Sequence, residues 1–443
     1  MQPKLPIAVI GAGPVGLAAA AHLIQRGLEP VIFERGEHAA TAVRQWGHVR
    51  VFTPWTYVID SAARALLSEI DWTEPQPDAL PTGDEIVDAY LAPLAAHPSI
   101  AARLHTNATV TDVTRDGASK IHSEGRETAS FAVHWRDAAG IANRTLVSAV
   151  IDASGTWFDA NPIGIGGLPV PGETDAADRI EYRIPDVLGR DRATYAGQRI
   201  LLLGGGHSAA NVALDLATLH GQHPDTRISW GIRRKSIESL LGGGADDELP
   251  ARGQLGLAAK DAIDTGTLEL LAPYAVDRIE RIGDGIKVFG HRAGVPMELV
   301  VDRIVVTTGF RPNIDMLREL RVELDPMLEA PPKLAPLIDP NVHSCGSVPP
   351  HGVAELAHPE PGFFIVGMKS YGRAPTFLML TGYEQVRSVA AELAGDHDAA
   401  RRVELKLPET GVCGGFTAAS CCEPEAETDL TSSQETEAEE SVS

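Results

Sequence analysis

The chain has 443 residues, with 38 Lys+Arg against 60 Asp+Glu, a formal net charge of −22, and four Cys. So acidic a balance repels phosphate-rich surfaces, which argues against nucleic acid and anionic membranes as partners. At 44% hydrophobic the chain can bury large cores, and at one domain per ~150 residues two or three are expected.

Residues 7–24 are almost wholly apolar, yet Gly11, Gly13, Pro14 and Gly16 interrupt them and no basic leader precedes them. Neither a signal peptide nor a membrane span is expected there. Four Cys, three of them near the end, form no secreted disulfide framework, so the expectation is a soluble, reduced, cytoplasmic protein.

The pattern predicts a strand at 7–10, a tight turn at 11–16, an Ala-rich helix at 17–25 ended by Gly27, and a strand at 30–33 followed by Glu34. This is a βαβ unit of a parallel, doubly wound sheet. An apolar strand at 150–155 ends in small residues, and the Gly/Pro/Asp-rich 162–195 reads as a connector. A second βαβ unit follows, with strand 199–203, the turn Gly204-Gly-Gly206, helix 208–219 and strand 227–232. Two more strands are expected at 303–309 and 362–367, and Pro375 opens a helix at 376–393 closed by Gly395. Residues 423–443 hold eight acids and no Lys or Arg, which leaves −14 for residues 1–422. Such a tail cannot bury enough apolar surface to order itself. The expected fold class is α/β, with two Rossmann-like doubly wound domains, one inserted in the other. Residues 1–165 and 301–405 would form the first, 190–300 the second, and 406–443 the Cys-containing tail.

Gly11-Ala-Gly13-Pro-Val-Gly16 matches G-x-G-x-x-G between a strand and a helix. The first glycine serves the turn, the second lets a pyrophosphate approach the backbone, and the third lets helix and strand pack. The helix N-terminus supplies N–H groups and partial positive charge, and Glu34 accepts from ribose hydroxyls while repelling a 2′-phosphate. Pro14, Val15, Arg35 and Val110 complete the residues expected around this first dinucleotide. Gly204-Gly-Gly206-His-Ser-Ala209 repeats the fingerprint with Ala at the third place. Arg233, Arg234 and Lys235 stand where the acid would be, which suits the 2′-phosphate of NADPH.

Together these features resemble the two-dinucleotide-binding-domain flavoproteins. The likeness rests on Gly11/Gly13/Gly16 with Glu34, Asp152-Ala153-Ser154-Gly155, Gly204/Gly206/Ser208, Thr307-Thr308-Gly309, and the closing 362–367 strand with its Pro375 helix. The resemblance implies FAD on the first loop and NADPH on the second. Arg373, Pro375 and Thr376 would then lie near the isoalloxazine, with Gly309 and Gly367 among the cofactor contacts. A Cys-x-x-Cys pair, as in thioredoxin-reductase-type disulfide reductases, is absent from the sequence. The other branch is the flavin-dependent monooxygenases, which Gln45-Trp46-Gly47, the aromatic run 51–57 and Gly206-His207-Ser208 resemble. Their Phe-x-Gly-x-x-x-His fingerprint appears here as Val170-Pro-Gly172-Glu-Thr-Asp-Ala176, lacking both Phe and His.

Arg44-Gln-Trp-Gly-His-Val-Arg-Val-Phe-Thr-Pro-Trp55, Ile184-Pro-Asp-Val-Leu188 and Leu249-Pro-Ala-Arg-Gly253 look most like monooxygenases of arsenical-resistance operons. That likeness implies oxidation of a trivalent (organo)arsenical, with Cys413, Cys421 and Cys422 as a soft, trigonal thiolate trap. Incidental cysteines on a disordered tail are the plainer alternative, and a lone Cys345 is usually a small buried apolar residue. Paired zinc-type spacing is absent, so no metal is expected. Among the histidines, His38, His48, His207 and His351 have the right chemistry for proton transfer. His207 at the phosphate turn, with Trp46 and Arg373, are the catalytic candidates.

Three functions stay open. The first is an NADPH-dependent flavin monooxygenase using O₂ and a small molecule. The second is a flavin reductase of a disulfide, quinone or other acceptor. The third is a non-catalytic redox- or metalloid-sensing flavoprotein. A homodimer is compatible with each.

Overall fold

The computed structural model describes residues 5–240, 250–342, 348–375 and 377–405. The expectations for Thr376, for all four cysteines and for the 406–443 tail fall outside the described residues.

In chain order the elements used below are β1 (Ile7–Ile10), α1 (Pro14–Gln25), β2 (Pro30–Phe33), β3 (Leu104–His105), β4 (Thr109–Arg115), β5 (Phe131–Arg136), β6 (Ala142–Val147) and β7 (Ala149–Asp152). There follow β8 (Ile180–Glu181), β9 (Arg199–Leu203), α2 (His207–Gln222), β10 (Arg227–Gly231), α3 (Pro250–Asp264) and β11 (Glu269–Leu271). The last are β12 (Tyr274–Ile282), β13 (Gly285–Arg292), β14 (Val295–Val301), β15 (Arg303–Val306), β16 (Phe363–Ile365) and α4 (Met379–Leu393).

Two five-stranded sheets result, ordered β16-β7-β1-β2-β3 and β11-β10-β9-β15-β8, each accompanied by a three-stranded antiparallel sheet, β4-β5-β6 or β12-β13-β14. Pairing inside both five-stranded sheets is parallel. Covered on both faces, their central strands read as unbroken apolar runs: β1 is Ile-Ala-Val-Ile and wholly buried. Helix α1 is buried from Val15 to Leu23, because it lies between the first sheet and other helices, including α4. Its four consecutive alanines allow that close approach on every side.

The chain crosses between the two units twice, and the crossings are bonded together. Asn161 N–H donates to Gly309 O (3.0 Å), Arg311 N–H to Asp159 O (2.9 Å), and Asn161 Nδ2 to Thr308 O (3.2 Å). Another long-range tie is ionic: Glu360, fully buried, accepts from Arg115 Nε and from an Arg126 terminal nitrogen, each at 2.7 Å. It clamps the β4–β6 sheet to the chain's later return.

Several boundaries differ from the sequence expectation. The first helix starts at Pro14 and the second at His207, so the turns proper are 11–13 and 204–206. Strands 150–155, 303–309 and 362–367 stop earlier, at Asp152, Val306 and Ile365, so their small-residue ends lie past the strands. The 162–195 connector contributes β8, and β15 belongs to the second sheet, so strands on either side of 190–300 pair with that unit. The closing helix begins at Met379, with Leu378 extended before it (φ −108°, ψ 141°), and Pro375 is an exposed residue outside it. The Phe377 ring explains the delay: it packs edge-on against Tyr371 at 5.1 Å and abuts Gly382, which needs extended chain in between.

Candidate functional site

Both glycine turns leave β-strands and feed helices whose leading N–H groups have no side-chain cap, so those donors remain for a ligand. In the first turn, Gly11 sits at φ +96°, and a methyl there would lie 2.8 Å from Ala153 O. A methyl on Gly16 would lie 1.9 Å from Gly11 O. Gly13, between them, has nothing within 4 Å of the corresponding position. Two of the glycines therefore serve packing, and the third faces the open side where a pyrophosphate would approach. In the second turn, a methyl on Gly204 would lie 2.5 Å from Thr307 O, while Gly206 is open. Donor set and space at both turns fit a dinucleotide.

Glu34, only 6% exposed, is built into the first turn. One carboxylate oxygen accepts from Ala12 N–H and the other from Gly36 N–H, both at 2.8 Å. Each oxygen keeps a further lone pair, so a ribose would meet a carboxylate already fixed in place. Beside it, Phe33 stacks on His105 at 5.7 Å and packs with Trp135 and Val110, while the Arg35 guanidinium lies 4.6 Å over Phe158. At the second turn, Trp230 Nε1 donates to Gly204 O (2.8 Å). Arg233, Arg234 and Lys235 are exposed just past β10, and Ser208 is exposed in the first turn of α2.

Gly155 (φ +69°), Gly309 (φ +89°) and Gly367 (φ +70°) all adopt left-handed backbone at strand ends. Gly367 N–H donates to Gln385 Oε1 (2.7 Å). Gln385 Nε2 in turn meets Ser370 Oγ and His351 Nε2, each at 2.9 Å. His351 Nδ1 lies 3.1 Å from Pro349 O, so the ring carries its proton on Nδ1 and accepts at Nε2. Burial pushes its pKa down. His351 is thus a neutral strut of the α4 core, not a proton-transfer group. Val15 fits between Gly367 and Gly382, joining α1 to α4.

The other candidates separate. Gln45 Oε1 accepts from Trp157 Nε1 (2.8 Å), and Trp157 packs against Phe310 with tilted rings 4.8 Å apart, at the paired crossings. Trp46 leans on Gly83, where a methyl would lie 2.7 Å from Cε3. Of the aromatic run 51–57, Trp55 is core, and Phe52 reaches His207 with rings 5.2 Å apart. That contact brings the first unit to the second glycine turn. Arg373 is exposed and bonded to Glu329 (2.9 Å), and His38 is exposed. His48 is half-buried, and burial pushes its pKa down. The segment 170–176 is structural: buried Glu173 accepts from Ile163 N–H, Val170 N–H and Tyr182 O–H.

Sequence reasoning missed Phe52 and Trp157 as individual contacts, and it missed Lys369. The Lys369 side chain is 1% exposed and 2.7 Å from the equally buried Asp152 carboxylate. A charge two residues past Gly367, close behind the apolar run 363–366, was the available signal. Among the described residues, no three His, Cys, Asp or Glu cluster as metal ligands, and no helix is long and apolar enough to cross a membrane.

Residues 5–359 match the family model for pyridine nucleotide-disulphide oxidoreductases. A flavin-containing monooxygenase of Aspergillus flavus is 28% identical over 227 residues, 47% of this chain and 50% of that one. A ferredoxin–NADP reductase of Thermus thermophilus is 26% identical over 218 residues, 46% of this chain and 55% of its own. The matches thus span about half the length of these curated relatives. A bacillithiol disulfide reductase of Bacillus cereus superposes with a TM-score of 0.67 at 17% identity, covering 88% of this chain and 99% of that one. The superposition shows the shared two-unit fold. The chain belongs to the pyridine nucleotide-disulphide oxidoreductase family.

Proposed function

We propose that the first turn (Gly11, Gly13, Gly16, Glu34) holds FAD, the second (Gly204, Gly206, Arg233, Arg234) holds NADPH, and the enzyme is a monooxygenase acting with O₂ on a small molecule. The observation that carries the choice of branch is a sequence one: a two-turn flavoprotein of this family with no Cys-x-x-Cys in its 443 residues. Without a Cys-x-x-Cys pair, the chain lacks the dithiol relay to a disulfide that thioredoxin-reductase-type enzymes use. The flavin-containing monooxygenase among its relatives supports the same branch.

FAD, when bound, supplies the two-electron chemistry between NADPH and the acceptor. The protein's part is placement. Uncapped N–H groups at Gly13 and Gly206 receive the pyrophosphates, Glu34 orients the ribose, and the cations at 233–235 receive a 2′-phosphate. Trp157, Gln45, Phe52 and His207 line the junction where the two units meet.

The substrate proposed from the resemblance is a trivalent (organo)arsenical, delivered by Cys413, Cys421 and Cys422. The decisive experiment measures NADPH oxidation, O₂ uptake and product together, with methylarsenite among the candidate substrates. One oxygenated product per NADPH and per O₂ is expected. Sustained acceptor reduction without O₂ would instead establish a reductase, the reading that the ferredoxin–NADP reductase likeness supports. Unchanged arsenical turnover after Cys→Ser replacement at all three tail positions would remove the thiolate trap and leave the oxygenase standing.

A further inference from the structure

The most deeply buried charges near the first turn belong to neither glycine motif. Lys369 follows β16 in the short turn after Gly367, and Asp152 ends β7. Their side chains are 1% and 0% exposed, with Nζ 2.7 Å from Asp152 Oδ2. The same Nζ donates to Ser154 Oγ at 3.1 Å. Asp152 Oδ1 takes up both Ser154 donors, the hydroxyl at 2.6 Å and the backbone N–H at 3.1 Å. Lysine, aspartate and serine therefore form one bonded polar unit.

Such a pair costs desolvation, and a well-packed apolar pair would often be as stable. Its place in the fold gives it a use. β7 lies between β1 and β16 in the sheet and pairs with both, and ligands of open α/β sheets lie outside the carboxyl ends of such strands. Ala153 and Ser154, the residues this unit immobilises, are the ones the first turn closes against. A methyl on Gly11 would meet Ala153 O at 2.8 Å and Ser154 Cα at 3.0 Å, and one on Gly16 would meet Ala153 Cβ at 3.5 Å. The height of the 152–155 strand end thus sets how far the glycine turn can settle, and the far C-terminal return sets that height.

We propose that Lys369 is a positioning residue for FAD: through Asp152 and Ser154 it fixes the strand end under the first glycine turn, so that FAD affinity depends on the C-terminal return. The inference rests on the assignment of FAD to that turn. Because Lys369 acts through Ser154, the hydroxyl alone transmits part of its effect.

The test titrates the full chain, stripped of FAD, with FAD by flavin-fluorescence quenching, alongside the melting temperature of each stripped protein. Lys369→Met and Asp152→Asn should each weaken FAD binding about tenfold or more, and the double variant no further than the worse single one. Ser154→Ala should weaken it about threefold and lower the melting temperature by no more than a few degrees, whereas a merely structural role would lower the melting temperature and leave FAD affinity unmoved. NADPH binding at the second turn should stay within experimental error in every variant. If the Lys369 and Asp152 variants fail to fold, Ser154→Ala decides alone. Wild-type affinity in Ser154→Ala, or in a folded Lys369→Met, overturns the proposal while leaving the FAD assignment intact. A stripped wild-type chain that takes up no FAD overturns both.

Discussion

The two glycine turns share a backbone and differ in what stiffens them. At the first, the Glu34 carboxylate is buried and bonded to two loop N–H groups, and α1 behind it is buried on all sides. At the second, the residues after the strand are exposed cations, and α2 is amphipathic, with polar positions half open to solvent. A turn that carries its own internal bonds is organised before any ligand arrives, and loses little freedom on binding it. That suits a group that stays. Exposed cations attract a phosphate without enclosing it, which suits a group that exchanges at every turnover.

The sharpest way to break this comparison is at the third glycine, because the second turn already carries Ala209 there. Gly16→Ala would set its methyl 1.9 Å from Gly11 O. Overpacking of that kind costs about 3 kcal/mol, so FAD binding should fall about 100-fold. The reverse change, Ala209→Gly, should leave the NADPH KM nearly unchanged. FAD content of the purified proteins checks the first, and steady-state kinetics the second.

Next in size is Glu34→Gln. An amide offers one acceptor and one donor where Ala12 N–H and Gly36 N–H both need an acceptor. One of the two is therefore left facing an NH₂. Losing a charge-assisted bond is worth about 1.5–3 kcal/mol, so FAD should bind about 10- to 100-fold more weakly with NADPH KM unaffected. If both cofactors weakened equally, Glu34 would be holding the fold and not the first site.

Arg233→Ala with Arg234→Ala comes third. Exposed cation–phosphate contacts contribute about 1 kcal/mol after solvent screening, so NADPH KM should rise about fivefold to tenfold. NADH, which lacks the 2′-phosphate, should be untouched, and the NADPH effect should shrink as salt rises. Equal loss for both nucleotides would show that the basic run does not read the phosphate.

Much of this was legible in the sequence because it is local. Strand, glycines, helix and Glu34 are contiguous, and their spacing alone fixes a βαβ turn. What stayed hidden depends on contacts across the chain. Lys369 meets Asp152 only because β16 returns beside β7. Phe52 meets His207 only because the two units face each other there. β15 reads like part of the returning domain but completes the second sheet, since it pairs with β9 before the chain crosses back. Pro375 is a good first residue of a helix by propensity, yet the Phe377 ring packs on Tyr371 and Gly382, and Leu378 is extended before the helix begins. In that place tertiary packing overrides a local signal.

The smallest expected effect tests the contrast between α1 and α2 themselves. The one ionisable side chain of α1, His22, is buried against Asp60 at 3.0 Å. On α2, Asp215 is half-buried, and burial first and the like charge of Asp186 second raise its pKa from 3.8 to about 6. A carboxyl whose folded pKa lies above its unfolded one holds its proton more tightly when folded. Stability therefore falls as pH rises from about 4 to 6, and the penalty persists above that range. Asp215→Asn removes the charge at nearly constant volume. Below pH 4 it should melt with the wild type, and at pH 8 it should be more stable by about 1 kcal/mol, or roughly 1–2 °C in a chain of this length. Thermal unfolding at the two pH values checks it. A gain of the same size at both would mean that packing, and not the buried charge, separates the two helices.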